Sequence, residues 1–207
     1  MHEAVMERVT LAARHDFDML PKSTEIAVQA AKRSELPALA DMANRLVPGV
    51  QITEPDLERY FNFDPGSILT FSRKNKLLGA VAFIYLNRSG HDALIHAEMN
   101  LTRPDFALLA GRSDRASAIY VWAITGQGRA MAGLGNVSTH LSAPRLAPAD
   151  LYAQPSSADG RNLMIAIGFE PIDSFQQELW RYQRPWNRVR ASVSAPKAAR
   201  SLADARP

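Results

Sequence analysis

The sequence predicts an α/β fold in which strands and helices alternate around one sheet. The strongest sign is residues 118–124, an uncharged apolar run rich in β-branched and aromatic side chains, which is typical of a buried central strand. A polar turn with two glycines, residues 125–129, follows it, and small apolar residues then predict a helix packed on the sheet. A length of 207 residues with 46% hydrophobic content suits one domain with a sizeable core.

The strand, the turn and the helix together favour an anion site. A helix amino terminus presents unpaired N–H groups and a partial positive charge, and glycines let an anion approach the backbone. Arg129 adds a charged donor. The same pattern also fits a plain connection that binds nothing, and both interpretations stay open on this stretch alone. No Gly-Lys-Ser/Thr follows, so the turn is not a P-loop, and the pair Gly126 and Gly128 lacks the third glycine of a dinucleotide fingerprint.

The composition excludes several classes of protein. The chain has no cysteine, which excludes disulfides and thiol chemistry, and its five histidines show no spacing typical of metal ligands, so we expect no metal. It has no apolar run of about 18 residues, which a transmembrane helix would need. The first residues are too charged for a signal peptide. We therefore expect a cytoplasmic protein with no membrane partner.

The basic residues are concentrated at the carboxyl terminus. From Arg184 to Pro207, six basic residues stand against one acidic residue, a net charge of +5 in a chain whose total is +3. The residues before Arg184 therefore carry −2 and show no broad nucleic-acid footprint. We predict a basic disordered tail over residues 186–207, which is either plainly solvated or touches nucleic acid or another acidic surface.

The elements ahead of the central strand follow from helical spacing, caps and turn residues. Residues 1–24 are predicted to be an N-terminal helical extension outside the main fold. Residues 25–32 predict the first strand. Two amphipathic helices are expected next, one capped by Ser34 and the other capped by Thr53.

The next segment predicts a hairpin and two less regular elements. Residues 67–73 and 77–86 have the pattern of two paired strands, and Gly79 indicates a bulge or a close backbone approach in the second. Residues 93–99 are interpreted as a further strand. Residues 102–111 are predicted to form a helix.

After the central strand, the helix is expected to continue to about residue 141, and a short strand and another helix follow. Gly168 ends that second helix as the glycine just beyond its carboxyl terminus. Two short strands close the domain. These last elements are predicted over residues 150–154, 159–167, 169–172 and 175–184.

The order of these elements and two short motifs resemble the GNAT superfamily of acyl-CoA-dependent N-acyltransferases. That family has a pyrophosphate loop of the form Gln/Arg-x-x-Gly-x-Gly/Ala after its fourth strand. Residues 127–132, Gln-Gly-Arg-Ala-Met-Ala, match the loop with Ala130 in place of a glycine, which fits if that residue has helical backbone angles. The family also ends a late helix with Gly-Phe, as residues 168–169 do here. The resemblance covers residues 25–185, and the two motifs in this order are more specific than either alone.

The resemblance implies a GNAT-like fold, with a mixed, mostly antiparallel central sheet of about six or seven strands flanked by helices. It implies transfer of an acetyl or other acyl group from acyl-CoA, the co-substrate, to an amine by direct attack. Backbone groups of residues 122–124 would bind the pantetheine arm where two central strands separate, residues 127–132 would hold the pyrophosphate, and Ser157 would border the thiol end. The implied cofactor-binding residues are Trp122, Ala123, Ile124, Gln127, Gly128, Arg129, Ala130, Met131, Ala132 and Ser157.

One position departs from the family pattern. The tyrosine that often protonates the leaving thiolate in the family aligns with Met164, which has no proton to donate. Three outcomes stay open. Another group acts as the acid, or the thiolate leaves unassisted because a thiol has a pKa of only about 8.5, or the protein does not catalyse acyl transfer.

The attacking amine needs a base, because a primary amine with a pKa near about 10 is mostly protonated at neutral pH. Our candidate is Glu98, which would share a strand face with His96, although a solvated strand face explains both residues as well. Tyr120 and Trp122 also share a face, and they would line an acceptor pocket or pack in the core.

The sequence does not specify the acceptor. The segment that sets it in the family, residues 87–117, carries four arginines that would recognise a carboxylate or phosphate or simply be exposed; they are Arg88, Arg103, Arg112 and Arg115. Three hypotheses remain: an N-acyltransferase for a small-molecule or protein amine, a non-catalytic acyl-CoA-binding or regulatory protein, and a domain whose basic tail binds nucleic acid. The oligomeric state is left open, with a homodimer as one alternative.

Overall fold

A computed structural model describes residues 16–187 apart from residues 48, 50, 127 and 186. Within this range, seven strands form one sheet and five α-helices flank it. The strands are β1 (Ala27–Ala30), β2 (Ile68–Arg73), β3 (Lys76–Leu86), β4 (Ala118–Gly126), β5 (Asp150–Ala153), β6 (Glu170–Pro171) and β7 (Trp180–Tyr182). The helices are α1 (Leu36–Leu46), α2 (Glu54–Phe63), α3 (Arg88–Ile95), α4 (Leu134–Leu141) and α5 (Ala158–Ala166).

The strand order is β1-β2-β3-β4-β5-β7-β6. Every neighbouring pair is antiparallel except β4 and β5, which are parallel. The predicted mixed, mostly antiparallel sheet flanked by helices is therefore confirmed. β4 and β5 can be parallel because the chain crosses through α4 between them, as a parallel connection requires.

The sheet separates two layers of helices. Along β3, Val81, Phe83 and Tyr85 pack with α4 and α5, whereas Ile84 and Leu86 pack on the opposite face with α2 and α3. This alternation follows from the period of two along a strand. In β4, Ile119 packs on the first face and Tyr120 on the second. This central strand is thus covered on both faces, which explains the uninterrupted apolar run from which it was predicted.

The first two helices confirm their sequence signals in most respects. Thr53 caps α2, accepting a hydrogen bond from the Asp56 N–H while the Asp56 side chain bonds back to Thr53. The cap of α1 differs from the prediction. Residues Arg33–Glu35 form a 3-10 turn ahead of the helix, and the Glu35 carboxylate accepts the Lys32 N–H, so Ser34 does not cap it.

At position 79, the sheet has room only for a residue without a side chain. A Cβ at this position would lie 2.3 Å from the carbonyl oxygen of Thr125 in β4. The β2–β3 ladder also shifts register next to it, between Phe71 and Ser72. The predicted bulge and close backbone approach are both confirmed.

Two predictions between β3 and β4 are wrong. Residues 93–99 are not a strand, because α3 begins at Arg88 and the Asn87 side chain caps it through the Gly90 N–H. Residues 102–111 are not an α-helix; they contain the 3-10 turn Phe106–Leu108 and an isolated bridge from Leu109 to Leu86. The Asn100 side chain accepts the N–H groups of residues 102 and 103, which holds that backbone in a turn instead.

The helix after the central strand is also divided. A 3-10 helix, Gly128–Gly133, comes first, and α4 starts only at Leu134. A Cβ at Gly133 would lie 2.9 Å from both Ile26 and Phe71, so this junction packs tightly on the sheet. The two closing strands are shorter than predicted, and α5 ends as expected, with Gly168 at φ 90°.

The N-terminal extension meets the domain at its last residues. Phe17 is 3% exposed and packs in the core formed by β2, β3 and α4, and Asp18 forms an ion pair with the buried Arg184. Residues 1–15 and 188–207 lie outside the described residues, so the predicted helix and basic tail are not seen. The division into residues 1–24, 25–185 and 186–207 stays a prediction.

Candidate active site

The central strands separate at Tyr120. The parallel ladder of β4 and β5 has three residue pairs, and Tyr120 with Tyr152 is the last of them. Among the described residues, the rest of β4 pairs with β3 alone. Backbone groups on the β5 side of residues 121–126 are therefore free of strand pairing, which is the arrangement expected for binding an extended ligand.

A β-bulge occurs in the same stretch. Ala82 of β3 pairs with Ala123, and the next residue, Phe83, pairs with Val121, so Trp122 is an extra residue in β4. An extra residue changes the alternation of faces beyond it. Trp122 and Ala123 consequently both face the α1 side, beside Tyr120.

A cavity of about 390 Å³ opens below the separated strands, on the face covered by α4 and α5. We call it the α5 cavity. Its walls are mainly apolar side chains of β4, α4 and α5, with Gln154 and Ser156 where the chain leaves β5. Its volume and apolar walls suit one small organic ligand or the inner part of a larger one.

A second cavity of about 270 Å³ lies on the other face of β4, and we call it the α1 cavity. Apolar residues of α1, α2 and β3 form its walls. Asp56, which is half-buried, adds an acidic side chain, and Arg103, which is exposed, adds a basic one. Three residues line both cavities: Tyr120, Trp122 and Ala123.

The predicted pyrophosphate loop lies at the end of β4. Its described residues belong to the 3-10 helix Gly128–Gly133, and Gln127 lies outside the described residues. Ala130 is fully buried and its φ is not positive, so alanine fits where the family has glycine. Met131 is half-buried against the core, and Ala132 is exposed. The Arg129 side chain is exposed and lies 3.8 Å from the Glu25 carboxylate.

The α5 side holds the other two residues named by the resemblance. Ser157 is the N-cap of α5 and its Oγ accepts the Gly160 N–H at 3.0 Å. It is exposed and lies beside, rather than in, the wall of the α5 cavity, which includes the neighbouring Ser156. Met164, the position that the resemblance aligns with a tyrosine, is 8% exposed and does line this cavity.

Glu98 is not brought to either cavity. It is exposed beyond the carboxyl end of α3, where its N–H bonds to the Ala93 carbonyl and Ala97 has a φ of 58°. His96 stacks on Phe175 and its Nδ1 contacts the Asp92 carbonyl. The strand that would have aligned the two side chains is absent, so Glu98 lies outside the candidate site.

The shared wall contains a buried hydroxyl. Tyr120 is 5% exposed, and its O–H donates to Gln154 Oε1 at 3.1 Å. Burial raises the pKa of Tyr120 to about 12, so the hydroxyl stays protonated at neutral pH. Hydrogen bonds from Thr53 lower the pKa of the half-buried Asp56, so that side chain is a carboxylate at neutral pH.

The four arginines of residues 87–117 are placed differently. Arg103 is the one that lines the α1 cavity. Arg112 donates to the backbone carbonyls of Asn62 and Phe63 and so holds the end of α2. Arg88 and Arg115 are exposed and line neither cavity.

Sequence reasoning missed Gln154 and Asp56. Asp56 carried a signal, but that signal was its place in the first turn of α2, which indicates a cap and not a cavity. Gln154 carried none, because its contact with Tyr120 depends on which strand β5 pairs with.

Two further findings apply to the described part of the chain. It contains no cluster of three or more histidine and acidic side chains suited to a metal ion. Its helices are also too short or too polar to cross a membrane.

Comparison with known proteins finds similarity at the level of the fold. No family model matches the sequence, and no curated protein matches it. Solved structures with a similar fold include Arabidopsis thaliana Naa50 with a bisubstrate analogue of CoA, at 11% identity over 76% of this chain and 96% of that one, with a TM-score of 0.46. Another is yncA from Salmonella typhimurium, a putative acetyltransferase with acetyl-CoA, at 12% identity over 76% and 91%, with a TM-score of 0.47. A third is the GNAT-like decarboxylase GphF with isobutyryl-CoA, at 13% identity over 66% and 70%, with a TM-score of 0.46.

Proposed function

We propose that the protein is an acyl-CoA-dependent N-acyltransferase, which transfers an acyl group from the thioester to an amine by direct attack. The observation that carries this proposal is the separation of β4 from β5 between two cavities that share Tyr120, Trp122 and Ala123. A thioester on one side of β4 and an amine on the other would meet at this shared wall, which is the positioning that direct transfer needs.

The α5 cavity would take the cofactor. The pantetheine arm would run along the unpaired edge of residues 122–124, in place of a strand, and hydrogen-bond to their backbone. The pyrophosphate would lie against the N–H groups of residues 128–132, ahead of α4. The thiol end would then reach the Tyr120 and Met164 side chains.

The α1 cavity would take the amine. Its apolar walls would hold an apolar body, and the Asp56 carboxylate would attract an ammonium group. The acceptor is a small molecule or an exposed protein amine, and the described residues favour neither. Residues 25–185 would form this acyltransferase domain.

The test is a calorimetric titration with acetyl-CoA and free CoA. Wild type should bind both with Kd on the order of micromolar. Gly128→Asp should abolish binding, because a negative charge at the loop repels the pyrophosphate. Asn75→Asp, which adds the same charge in the exposed β2–β3 turn, is the matched control and should bind normally. If Gly128→Asp binds acetyl-CoA and CoA as tightly as wild type does, the loop is not part of the binding site.

A non-catalytic acyl-CoA-binding protein is the second candidate, and Met164 favours it. This side chain occupies the wall of the α5 cavity where the family has a proton donor. Release of CoA thiol in the presence of a panel of primary amines separates the two functions. Tight acetyl-CoA binding with no amine-dependent release from any member of the panel would support the binding protein.

A further inference from the structure

The wall shared by the two cavities contains one side chain able to place a hydroxyl beside a reacting thioester. Trp122 and Tyr120 carry polar hydrogens there, and Ala123 carries none. The Trp122 indole packs edge-on to Tyr60 at a ring distance of 4.9 Å, on the α1 side. The Tyr120 hydroxyl instead reaches across to Gln154, the residue that follows β5.

This hydrogen bond spans the point where the strands separate. Tyr120 pairs with Tyr152 as the last step of the parallel ladder, and the Tyr120 hydroxyl contacts the β5 side beyond it. Gln154 is held in place by its own Nε2, which donates to the Gln177 carbonyl at 2.6 Å. A ligand entering between β4 and β5 therefore passes this hydroxyl.

Other side chains of the α5 cavity do not offer an equivalent group. Glu178, at its edge, is exposed, and its carboxylate accepts from Arg161 at 2.8 Å. Met164 has no acidic hydrogen, and Ser156 is exposed at the rim. The Tyr120 hydroxyl is buried, and a hydrogen bond made in a dry site is stronger than the same bond in water.

Resting on the proposed function, we propose that Tyr120 is the catalytic hydrogen-bond donor to the thioester sulfur, in the role that Met164 cannot fill. The hydroxyl rotates about its C–O bond and exchanges the Gln154 oxygen for the sulfur. Gln154 keeps its bond to the Gln177 carbonyl.

The step balances without transferring the tyrosine proton. The amine nitrogen attacks the thioester carbon, the C–N bond forms, the C–S bond breaks, and the sulfur leaves as a thiolate. The nitrogen loses one proton on becoming an amide nitrogen, and that proton ends on the sulfur, which gives the amide and CoA thiol. Burial alone raises the pKa of Tyr120 to about 12, above the thiol reference of about 8.5, so the tyrosine proton stays on oxygen.

The experiment uses free CoA and needs no acceptor. If Tyr120 donates to the sulfur, the bound state favours the thiolate, so CoA binding near the thiol pKa releases protons. Calorimetric titration at pH 8 in buffers of different ionisation enthalpy measures the number of protons released per CoA bound. Wild type should release a fraction of a proton and prefer CoA to CoA lacking its sulfur by about tenfold, as a hydrogen bond to a charged group predicts. Tyr120→Phe should still bind CoA but should lose both the proton release and the preference.

Tyr152→Phe is the matched control. Tyr152 is the residue paired with Tyr120, is 3% exposed, contacts His91 Nε2 at 2.9 Å and lines neither cavity. It should behave as wild type. Adding Met164→Tyr to Tyr120→Phe should restore proton release, because it returns a hydroxyl to the α5 cavity.

The outcomes separate this proposal from the proposed function. Proton release that persists in Tyr120→Phe, or is absent from wild type, would overturn the role of Tyr120 while leaving acyl-CoA binding in place. No binding of CoA or acetyl-CoA to any form would overturn both.

Discussion

The α5 cavity and the α1 cavity lie on opposite faces of β4, but different groups build them. The α5 cavity runs along a strand edge, so much of what it offers a ligand is main chain. The α1 cavity lies over a paired part of the sheet and offers side chains, including Asp56 and Arg103. Main-chain groups are common to all sequences, whereas side chains are particular to one. We infer that recognition of a shared ligand belongs to the first and selectivity for an acceptor to the second.

The largest effect is expected where β3 approaches β4, the strand that lines both cavities. Gly79→Val would push a side chain against the Thr125 carbonyl, 2.3 Å from the added Cβ, and force β3 from β4. We expect the free energy of unfolding to fall by about 3 kcal/mol, as overpacking of a core does. Urea denaturation measures it. Ala80→Val, whose side chain enters the α1 cavity, is the control and should change stability by less than about 1 kcal/mol.

A reciprocal pair of variants tests whether the cavities have separate ligands. Ala153→Leu fills part of the α5 cavity and Ala82→Leu fills part of the α1 cavity. Ala153→Leu should weaken acetyl-CoA binding by about tenfold, or about 1.4 kcal/mol, and Ala82→Leu should leave it unchanged. Calorimetry with both variants decides the matter. Equal weakening by both would show that one ligand occupies the two cavities.

A smaller effect is expected from the exposed charge of the α1 cavity. Phenylalanine and 2-phenylethylamine differ only by a carboxylate, which Arg103 would contact at the cavity rim. Arg103→Gln should raise KM for phenylalanine by at most about fivefold, because exposed ion pairs are weak, and should not affect 2-phenylethylamine. Arg115→Gln, which removes an arginine outside both cavities, serves as the comparison. A similar rise for both amines would indicate a packing role for Arg103.

The smallest effect concerns one histidine on each face of the sheet. Burial lowers the pKa of His91, in α3, and of His140, in α4, below the usual value of about 6.5. Below that pH the unfolded chain binds more protons than the folded chain, so the free energy of unfolding falls as the pH drops towards the folded-state pKa values. Above it, this contribution is constant.

Urea denaturation at pH 7.5 and pH 5.5 measures this slope. His91→Gln and His140→Gln should each flatten it, and the double variant should flatten it most. Asp18, whose pKa burial raises despite the opposing charge of Arg184, acts with the opposite sign at more acidic pH. A slope that is unchanged in the double variant would assign the pH dependence to other groups.

The parts of the fold that local patterns determine could be predicted. The apolar run of β4, the cap of α2 and the glycine after α5 are each specified within a few residues. The segment between β3 and β4 could not be predicted in the same way. Its apolar runs are short, and the Asn87 cap that starts α3 competes with an equally good loop interpretation.

The candidate site also has parts that could be predicted from the sequence and parts that could not. The loop after β4 and the residues that would line the pantetheine path follow from their position on one strand. The place where β4 and β5 separate depends on how far β5 extends beside β4, and the sequence of β4 does not determine that length. For this reason Tyr120 could be placed on a strand face from its sequence, but not at the junction of two cavities.

The brevity of the parallel ladder has a mechanical consequence. Three residue pairs join a half-sheet of β1–β4 to a half-sheet of β5–β7, and every other junction within each half is antiparallel. Beyond Tyr120, the two half-sheets are not joined by strand pairing in the described part of the chain. A ligand bound along this unpaired edge of β4 would take the place of a strand and link the two half-sheets. In the ligand-free protein, amide hydrogen exchange should be faster in β5 and β7 than in β3. Ligand binding between β4 and β5 should slow the exchange in β5 and β7, because the bound ligand would then contribute to the stability of the carboxyl-terminal half.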